Sequence, residues 1–343
     1  MKRILIIGGT RNMGHLLTQQ LLAAGHDLTL LNRGLENETL PEGVHHLRAD
    51  RTDRQQMKRA LMAKDFDAVI DFVLYNAEEA HTITNLLHEH TGHYIFISTG
   101  QVYLVRQGIE RPFSEDQFDQ GMPLPAPKPH TFAYEEWSYG TNKRAAEEVL
   151  FQAHAEKGFP FTTLRLPMVN SERDPFKRLY NYILRLKDGG PLLIPERPNF
   201  ALRHVYGEDV IQAISRLIDS GTGTGKAYNI SQDESVSIDE FLTLLGEIMG
   251  VTPVVVRVSR EALLKAGFLP DCSPFTERWM SELTNDRSKA ELGMQYTPLR
   301  DYLTTLVNYY ATHTPQPPVS YKRRAAEVKM ATKHGGDASI LAS

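Results

Sequence analysis

A chain of 343 residues with one cysteine, Cys272, cannot form an internal disulfide. That excludes the small secreted folds that depend on disulfides and fits a reducing compartment. No apolar run approaches the ~18 residues of a membrane span. The N-terminal run Ile4–Ile7 is cut short by Gly8-Gly9, so it also lacks the apolar core of a signal peptide. Basic excess is missing too: the net charge is −4, whereas nucleic acid as the main partner calls for a positive surface. There is no cysteine cluster and no His-Glu-x-x-His, and His88 and His90, two apart, point in different directions on a helix; no metal is expected. The expectation is a soluble, cytoplasmic protein with no membrane contact.

What is present is ordinary globular composition, 41% hydrophobic and 23% charged, in a chain long enough for one large domain or two. The first half alternates short apolar runs with helical patterns. Strands are expected at Ile4–Ile7, Asp27–Leu31, Val44–Ala49, Asp67–Val73, Tyr94–Ser98 and Phe161–Leu166. Between the first two, Met13, Leu16, Leu17, Leu21 and Ala24 recur at helical spacing, and Gly25 is placed to end that helix. Near-continuous apolar strands separated by helices predict a parallel sheet covered on both faces, an α/β fold of the Rossmann type. After Leu166 the pattern loosens. Helices are expected at Phe176–Leu186, Asp209–Ile218 and Ile238–Met249, and strands at Ala227–Ile230 and Val254–Val258. This predicts a dinucleotide-type domain over 1–168, a smaller α/β substrate-binding cap over 169–312, partly interleaved with it, and a flexible tail over 313–343. The proline-rich stretch Leu104–Ser138 reads as a long loop before a helix that begins near Tyr139.

Gly8-Gly9-Thr10-Arg11-Asn12-Met13-Gly14 follows a strand and opens a helix. Glycines allow the tight turn, and the helix N-terminus offers N–H groups and a positive dipole to a pyrophosphate; Gly14 lets helix and strand pack closely. At the end of the second strand stand Asn32 and Arg33, with no carboxylate to hold a ribose diol or repel a 2′-phosphate. Arg33 could pair with such a phosphate, which favours NADP over NAD; a solvated loop charge is its bland alternative. Asp50, after the third strand, is either an acceptor for the adenine edge or a helix cap.

Tyr139 and Lys143 are four apart, hence on one face of a helix. A cation beside a phenol favours the phenolate, so Tyr139 can exchange a proton with a substrate hydroxyl or carbonyl. Lys143 could also hold the nicotinamide ribose. The fifth strand ends in Ser98-Thr99, either of which could orient the reacting oxygen at the carboxyl edge of the sheet.

These ordered motifs, with Leu164-Arg165-Leu166-Pro167, Val205–Val210 and Tyr228-Asn229-Ile230, make the chain resemble the extended short-chain dehydrogenase/reductase superfamily, and within it the NAD-dependent epimerase/dehydratase family. The likeness runs from about residue 2 to residue 310. It implies Thr99 as catalytic hydroxyl, Tyr139 as acid/base and Lys143 as its partner. It further implies a cofactor held by Gly8, Thr10, Arg11, Asn12, Met13, Gly14, Asn32, Arg33, Asp50, Arg51, Phe72, Val73, Ser98, Tyr139, Lys143 and Pro167, and a small-molecule substrate met by Thr99, Gln101, Asn170 and Arg203. Arg11 stands where the family has its middle glycine; the resulting Gly-Gly-Thr-Arg turn resembles a branch similar to plastid RNA-binding proteins. Gly100 and Gln101 replace the acid pair of the sugar dehydratases, which argues against dehydration. Arg203 precedes His204 and Val205 out of register with the diphosphate-binding pattern of nucleotide-sugar enzymes.

The expected activity is that of an NAD(P)-dependent epimerase or ketone/alcohol oxidoreductase acting on a sugar, nucleotide-sugar or polyol-like substrate. The alternative is a non-catalytic dinucleotide-fold protein that binds RNA or regulates; the acidic charge and the intact Thr99–Tyr139–Lys143 set weigh against it. The resemblance is compatible with a homodimer.

Overall fold

The computed structural model describes residues 1–34, 40–335 and 338–341. The chain divides into two compact units and crosses between them repeatedly. The first holds Met1–Pro167, Gly207–Ser231 and Leu283–Gln295, and the second Met168–Tyr206, Gln232–Glu282 and Tyr296–Ser343.

The first unit opens with β1 (Arg3–Ile7), α1 (Asn12–Ala23), β2 (Asp27–Asn32), β3 (His45–Arg48), α2 (Arg54–Leu61), β4 (Ala68–Asp71), α3 (Ala77–Leu87), β5 (Tyr94–Thr99) and the short helix α4 (Gln101–Leu104). There follow a small hairpin, β6 (Arg106–Gln107) with β7 (Met122–Pro123), the long helix α5 (Phe132–Lys157) and β8 (Phe161–Leu166). One seven-stranded parallel sheet results, in the order Lys226–Asn229, β8, β5, β4, β1, β2, β3. Its central strands are apolar on both faces: Ile4, Leu5, Ile6 and Ile7 are essentially inaccessible, as are Val69, Ile70, Ile95 and Phe96. Each such side chain stabilises the fold by roughly 1.5–3 kcal/mol. Because the chain goes from β1 to β2 on one side and resumes at β4 on the other, a crevice opens beyond the carboxyl ends of β1 and β4.

Local signals set the helix ends. Asp53 caps α2 by accepting from the Gln55 and Gln56 amides, Thr131 caps α5, and Gly158 closes α5 in the left-handed conformation at φ 71°. The cap at Thr131 corrects one expectation: α5 begins at Phe132, two turns before Tyr139. The stretch before it is also less bare than a loop, carrying the hairpin and a 3-10 turn at Glu115–Gln117.

Two further expectations change. The helix Gly207–Ser220 and strand Lys226–Asn229, read from sequence as cap elements, belong to the first unit, where Lys226–Asn229 extends the main sheet beside β8. The segment from 313 onward is not a loose tail. It forms a 3-10 turn at Val319–Arg323 and a helix at Arg324–Lys333, with a strand at Ala338–Ile340 paired antiparallel to Val254–Val258. That helix carries little apolar periodicity because charge anchors it. Glu327 pairs with buried Arg185 at 2.6 Å, and Arg324 with Asp188 at 2.7 Å. Residues 336–337 and 342–343 of the expected tail lie outside the described residues. The core of the second unit gathers Leu179, Tyr182, Leu192, Phe241, Leu245, Phe275 and Leu303.

Candidate active site

A cavity of about 540 Å³ opens in the first unit where the sheet order reverses. Ile7, Gly8 and Thr10–Gly14 line one side; Leu31–Arg33, Ala49–Thr52, Phe72 and Val73, and Tyr75 with Glu79 complete it. The glycines have specific roles here. Gly8 turns at φ 87°, and a Cβ on Gly14 would lie 2.8 Å from the Gly8 carbonyl oxygen and the Gly9 Cα. Only glycine lets α1 start this close to the turn. Arg11, the N-cap residue, gives α1 no side-chain cap, so the amide end of the helix is directed at the cavity rim without a built-in acceptor.

Twelve of the cofactor positions expected from sequence line this cavity: Gly8, Thr10, Arg11, Asn12, Met13, Gly14, Asn32, Arg33, Asp50, Arg51, Phe72 and Val73. Their side chains differ in what they offer. Asn32 Oδ1 accepts from the Gly34 amide and pairs with His46 at 2.8 Å, while its Nδ2 is buried without a partner. Such an orphaned donor costs about 1–3 kcal/mol unless a ligand acceptor meets it. Asp50 accepts from the Thr52 hydroxyl (2.7 Å) and amide (2.9 Å), which hold its carboxyl below the usual range. Arg33 is exposed at the rim. Arg51 is different: its guanidinium is buried and committed to Asp71 (2.6 and 2.7 Å) and Glu79 (3.2 Å). It shapes the cavity wall, and the two carboxylates hold its charge in place. A glycine cradle that no Cβ could share and an unpaired buried amide fit a dinucleotide; Gly8, Thr10–Gly14, Asn32 and Asp50 are the residues that would hold one.

Ser98, Tyr139, Lys143 and Pro167 lie outside this cavity lining. Tyr139 and Lys143 nevertheless come together on α5. The Lys143 Nζ is 5.9 Å from the Tyr139 ring centre, and Tyr139 is partly exposed while Lys143 is buried. Lys143 donates a 2.8 Å hydrogen bond to the Ile97 carbonyl and lies over the Phe96 ring at 4.6 Å. Burial pushes its pKa down to about 7, against an opposing pull from Asp71. The helix packs closely on α4, just after β5, because residue 140 is glycine: a Cβ there would be 2.8 Å from the Gln101 carbonyl oxygen.

The structure separates Ser98 from Thr99. Ser98 is turned inward, donating to Glu147 at 2.5 Å, and so is not placed to meet a cofactor. Glu147 is also held by Arg165 at 2.6 and 2.9 Å, and Arg165 donates to the Tyr103 hydroxyl at 2.7 Å. Thr99 keeps partial exposure and accepts from the Gln101 amide at 3.3 Å. Gln101 donates its side-chain amide to Glu136 at 2.5 Å, so α5 brings a carboxylate beside a segment that has none of its own. Asn170 and Arg203 belong to the second unit. Asn170 is buried against His204 (3.1 Å) and Tyr302 (3.3 Å), which makes it a core contact there, and Arg203 donates to the Gln232 carbonyl at 2.9 Å.

Six lining residues, Ile7, Leu31, Ala49, Thr52, Tyr75 and Glu79, were not among the positions expected from sequence. For the last two a signal existed: Asn76-x-x-Glu79 after β4 is a helix-start pattern, and Asn76 does accept from the Glu79 amide at 2.9 Å.

A seven-stranded parallel sheet with a glycine turn opening a helix at the point where the strand order reverses is the fold of the extended short-chain dehydrogenase/reductase class. Within it, the chain belongs to the NAD-dependent epimerase/dehydratase family, whose model matches residues 4–231. The fold is similar to that of the UDP-glucose 4-epimerase of Thermotoga maritima, solved with UDP-glucose (TM-score 0.70, 18% identity, 91% of this chain and 100% of that one). It is equally similar to a dTDP-glucose 4,6-dehydratase of Bacillus anthracis solved with NAD (TM-score 0.71, 14% identity, 92% and 99%). In sequence, the chain is 28% identical over 253 residues to chloroplast stem-loop binding protein of 41 kDa b of Arabidopsis thaliana, covering 69% of this chain and 61% of that protein. A shorter match, 37% over 78 residues, is to 2′-dehydrokanamycin reductase of Streptomyces kanamyceticus, covering 23% of this chain and 22% of that protein. The chain thus spans about three fifths of the first of these relatives and about a fifth of the second. Among the described residues no helix is long and apolar enough to cross a membrane.

Proposed function

We propose that the chain is an NAD(P)-dependent epimerase or ketone/alcohol oxidoreductase for a sugar, nucleotide-sugar or polyol-like substrate. The observation that carries this reading is Lys143, buried under Tyr139 with its pKa brought to about 7, beside a cavity that fits a dinucleotide. The dinucleotide, when bound, supplies the hydride acceptor or donor. The phenolic oxygen of Tyr139 takes the proton of a substrate hydroxyl, or returns one to a carbonyl. Lys143, fixed by the Ile97 carbonyl, keeps a positive charge available next to that phenol, and Thr99 orients the reacting oxygen. The names of the matched relatives support both versions, one a UDP-glucose 4-epimerase and the other a 2′-dehydrokanamycin reductase. NADP is favoured over NAD by Arg33 at the cavity rim and by Asn32 where a carboxylate would otherwise stand.

Purifying the protein without added nucleotide, denaturing it and identifying what is released by mass tests this reading. A stoichiometric NAD or NADP supports an epimerase that keeps its cofactor through turnover. An empty protein that binds NADPH supports a reductase. A protein that neither retains nor binds a dinucleotide overturns the proposal.

A second reading, RNA binding, is favoured by the likeness to the chloroplast stem-loop binding protein. The net charge of −4 opposes it. Salt-dependent binding of a stem-loop RNA at submicromolar strength would favour it over the first.

A further inference from the structure

Tyr75 has no part in the family motifs that the sequence displays, yet it stands at the junction of the site. Its ring lines the cavity, lies 5.2 Å from Lys143 Nζ and 6.5 Å from the Tyr139 ring, and is about half exposed. The ring is placed by a chain of short contacts. The Tyr75 amide donates to Glu79 at 2.9 Å, and Glu79 is fixed by Asn76 at the start of α3. Glu79 pairs with Arg51 at 3.2 Å, and Arg51 donates twice to Asp71, which also accepts from the Tyr94 hydroxyl at 2.7 Å and the Val73 amide at 2.9 Å. A buried cluster of this kind holds one geometry, because removing one partner would leave a buried charge uncompensated.

We infer that Tyr75 is a further residue of the working site: a wall shared by the dinucleotide cavity and the Tyr139–Lys143 pair, which shields Lys143 from water and contacts whatever fills the cavity. Arg51, Asp71 and Glu79 are then positioning residues that act through Tyr75. This role rests on the functional reading above, but its test needs no turnover. The charged groups around Lys143 come from every neighbouring element: Asp71 at the end of β4, Arg51 after β3, Glu79 on α3 and Glu147 on its own helix. Opening a water path at Tyr75 leaves all of them in place, so a change in Lys143 titration reports the loss of the shield.

The experiment compares Tyr75→Ala, Tyr75→Leu and Tyr75→Phe with the wild type by NADPH titration and by NMR titration of isotope-labelled lysine side chains. Tyr75→Phe keeps both properties. Tyr75→Ala weakens NADPH binding about tenfold and raises the Lys143 pKa by about one pH unit or more as water gains access. Tyr75→Leu, with bulk but no π-face, gives a smaller change in the same direction and serves if the alanine variant does not fold. A folded Tyr75→Ala or Tyr75→Leu that matches the wild type in NADPH affinity or in Lys143 titration overturns the assignment of Tyr75 alone. A wild type that neither retains nor binds NAD, NADH, NADP or NADPH overturns this inference and the functional reading together; one that binds NADH alone is titrated with NADH in the same comparison.

Discussion

Lys143 donates its side-chain hydrogen bond to the carbonyl oxygen of Ile97, two residues before Thr99. That 2.8 Å contact ties the middle of α5, one turn after Tyr139, to the end of β5 just before Thr99. Gly140 lets the same helix pack against α4, and Phe96 and Tyr75 flank the ammonium.

The first prediction concerns proton transfer. Thr99→Ala, Tyr139→Phe and Lys143→Ala each lower turnover by about 10²-fold or more, provided that proton transfer limits the rate. Nicotinamide absorbance follows the reduction of keto-sugars, and chromatographic separation of the epimers follows turnover of a panel of UDP-hexoses. Wild-type turnover in all three variants contradicts the assignment.

Lys143 also affects stability, with a defined sign. Its pKa falls from 10.5 to about 7 on burial. Below pH 7 both the folded and the unfolded chain carry the proton, and the full burial cost is felt. As pH rises from about 7 towards 10.5, only the unfolded chain keeps it, and the cost fades. A tenfold change in a proton-binding constant is worth about 1.4 kcal/mol, so Lys143→Met stabilises the fold by a few kcal/mol at pH 6 to 7 while removing activity. Urea unfolding of both proteins from about pH 6 to pH 10 measures it; a gain that grows with pH has the wrong sign.

Much of this was legible in the sequence, and the boundary has physical causes. Phe161–Leu166, Ile238–Met249 and Val254–Val258 are found as read, because an unbroken apolar strand or a capped amphipathic helix carries its own signal. The Gly8–Gly14 turn and the Tyr139–Lys143 spacing were readable for the same reason: each is a local motif. Which sheet the strand Lys226–Asn229 joins depends on a partner more than sixty residues away, and no local pattern states it. Ser98 and Thr99 are neighbours of similar chemistry; only the position of Glu147 shows which of them faces inward. Tyr75 stayed hidden because the Arg51–Asp71–Glu79 cluster that places it draws on three separate elements.

The buried pair Glu147–Arg165 is a structural support under the site. Glu147→Ala leaves the Arg165 charge buried without its partner and frees Ser98, and should cost about 3–5 kcal/mol in denaturant unfolding. A loss under ~1 kcal/mol, as for an exposed pair, would show that the pair is solvated in solution.

Gly14→Ala should abolish dinucleotide binding before it unfolds the protein. Its Cβ would meet the Gly8 carbonyl at 2.8 Å, so α1 must move away from the turn. Calorimetric titration with NADPH reads the loss, and retained wild-type affinity would show that the turn does not hold the ligand.

Arg33→Ala narrows the preference for NADPH over NADH, by about tenfold for one charge-assisted contact with a 2′-phosphate, and leaves NADH affinity unchanged. An unchanged ratio assigns Arg33 to solvent.

The central claim is that this fold binds a nicotinamide dinucleotide next to Tyr139 and Lys143. Calorimetric titration of nucleotide-free wild-type protein with NAD, NADH, NADP and NADPH tests it most directly. The account predicts one site per chain with micromolar or tighter affinity, strongest for the phosphorylated pair. No binding of any of the four contradicts it.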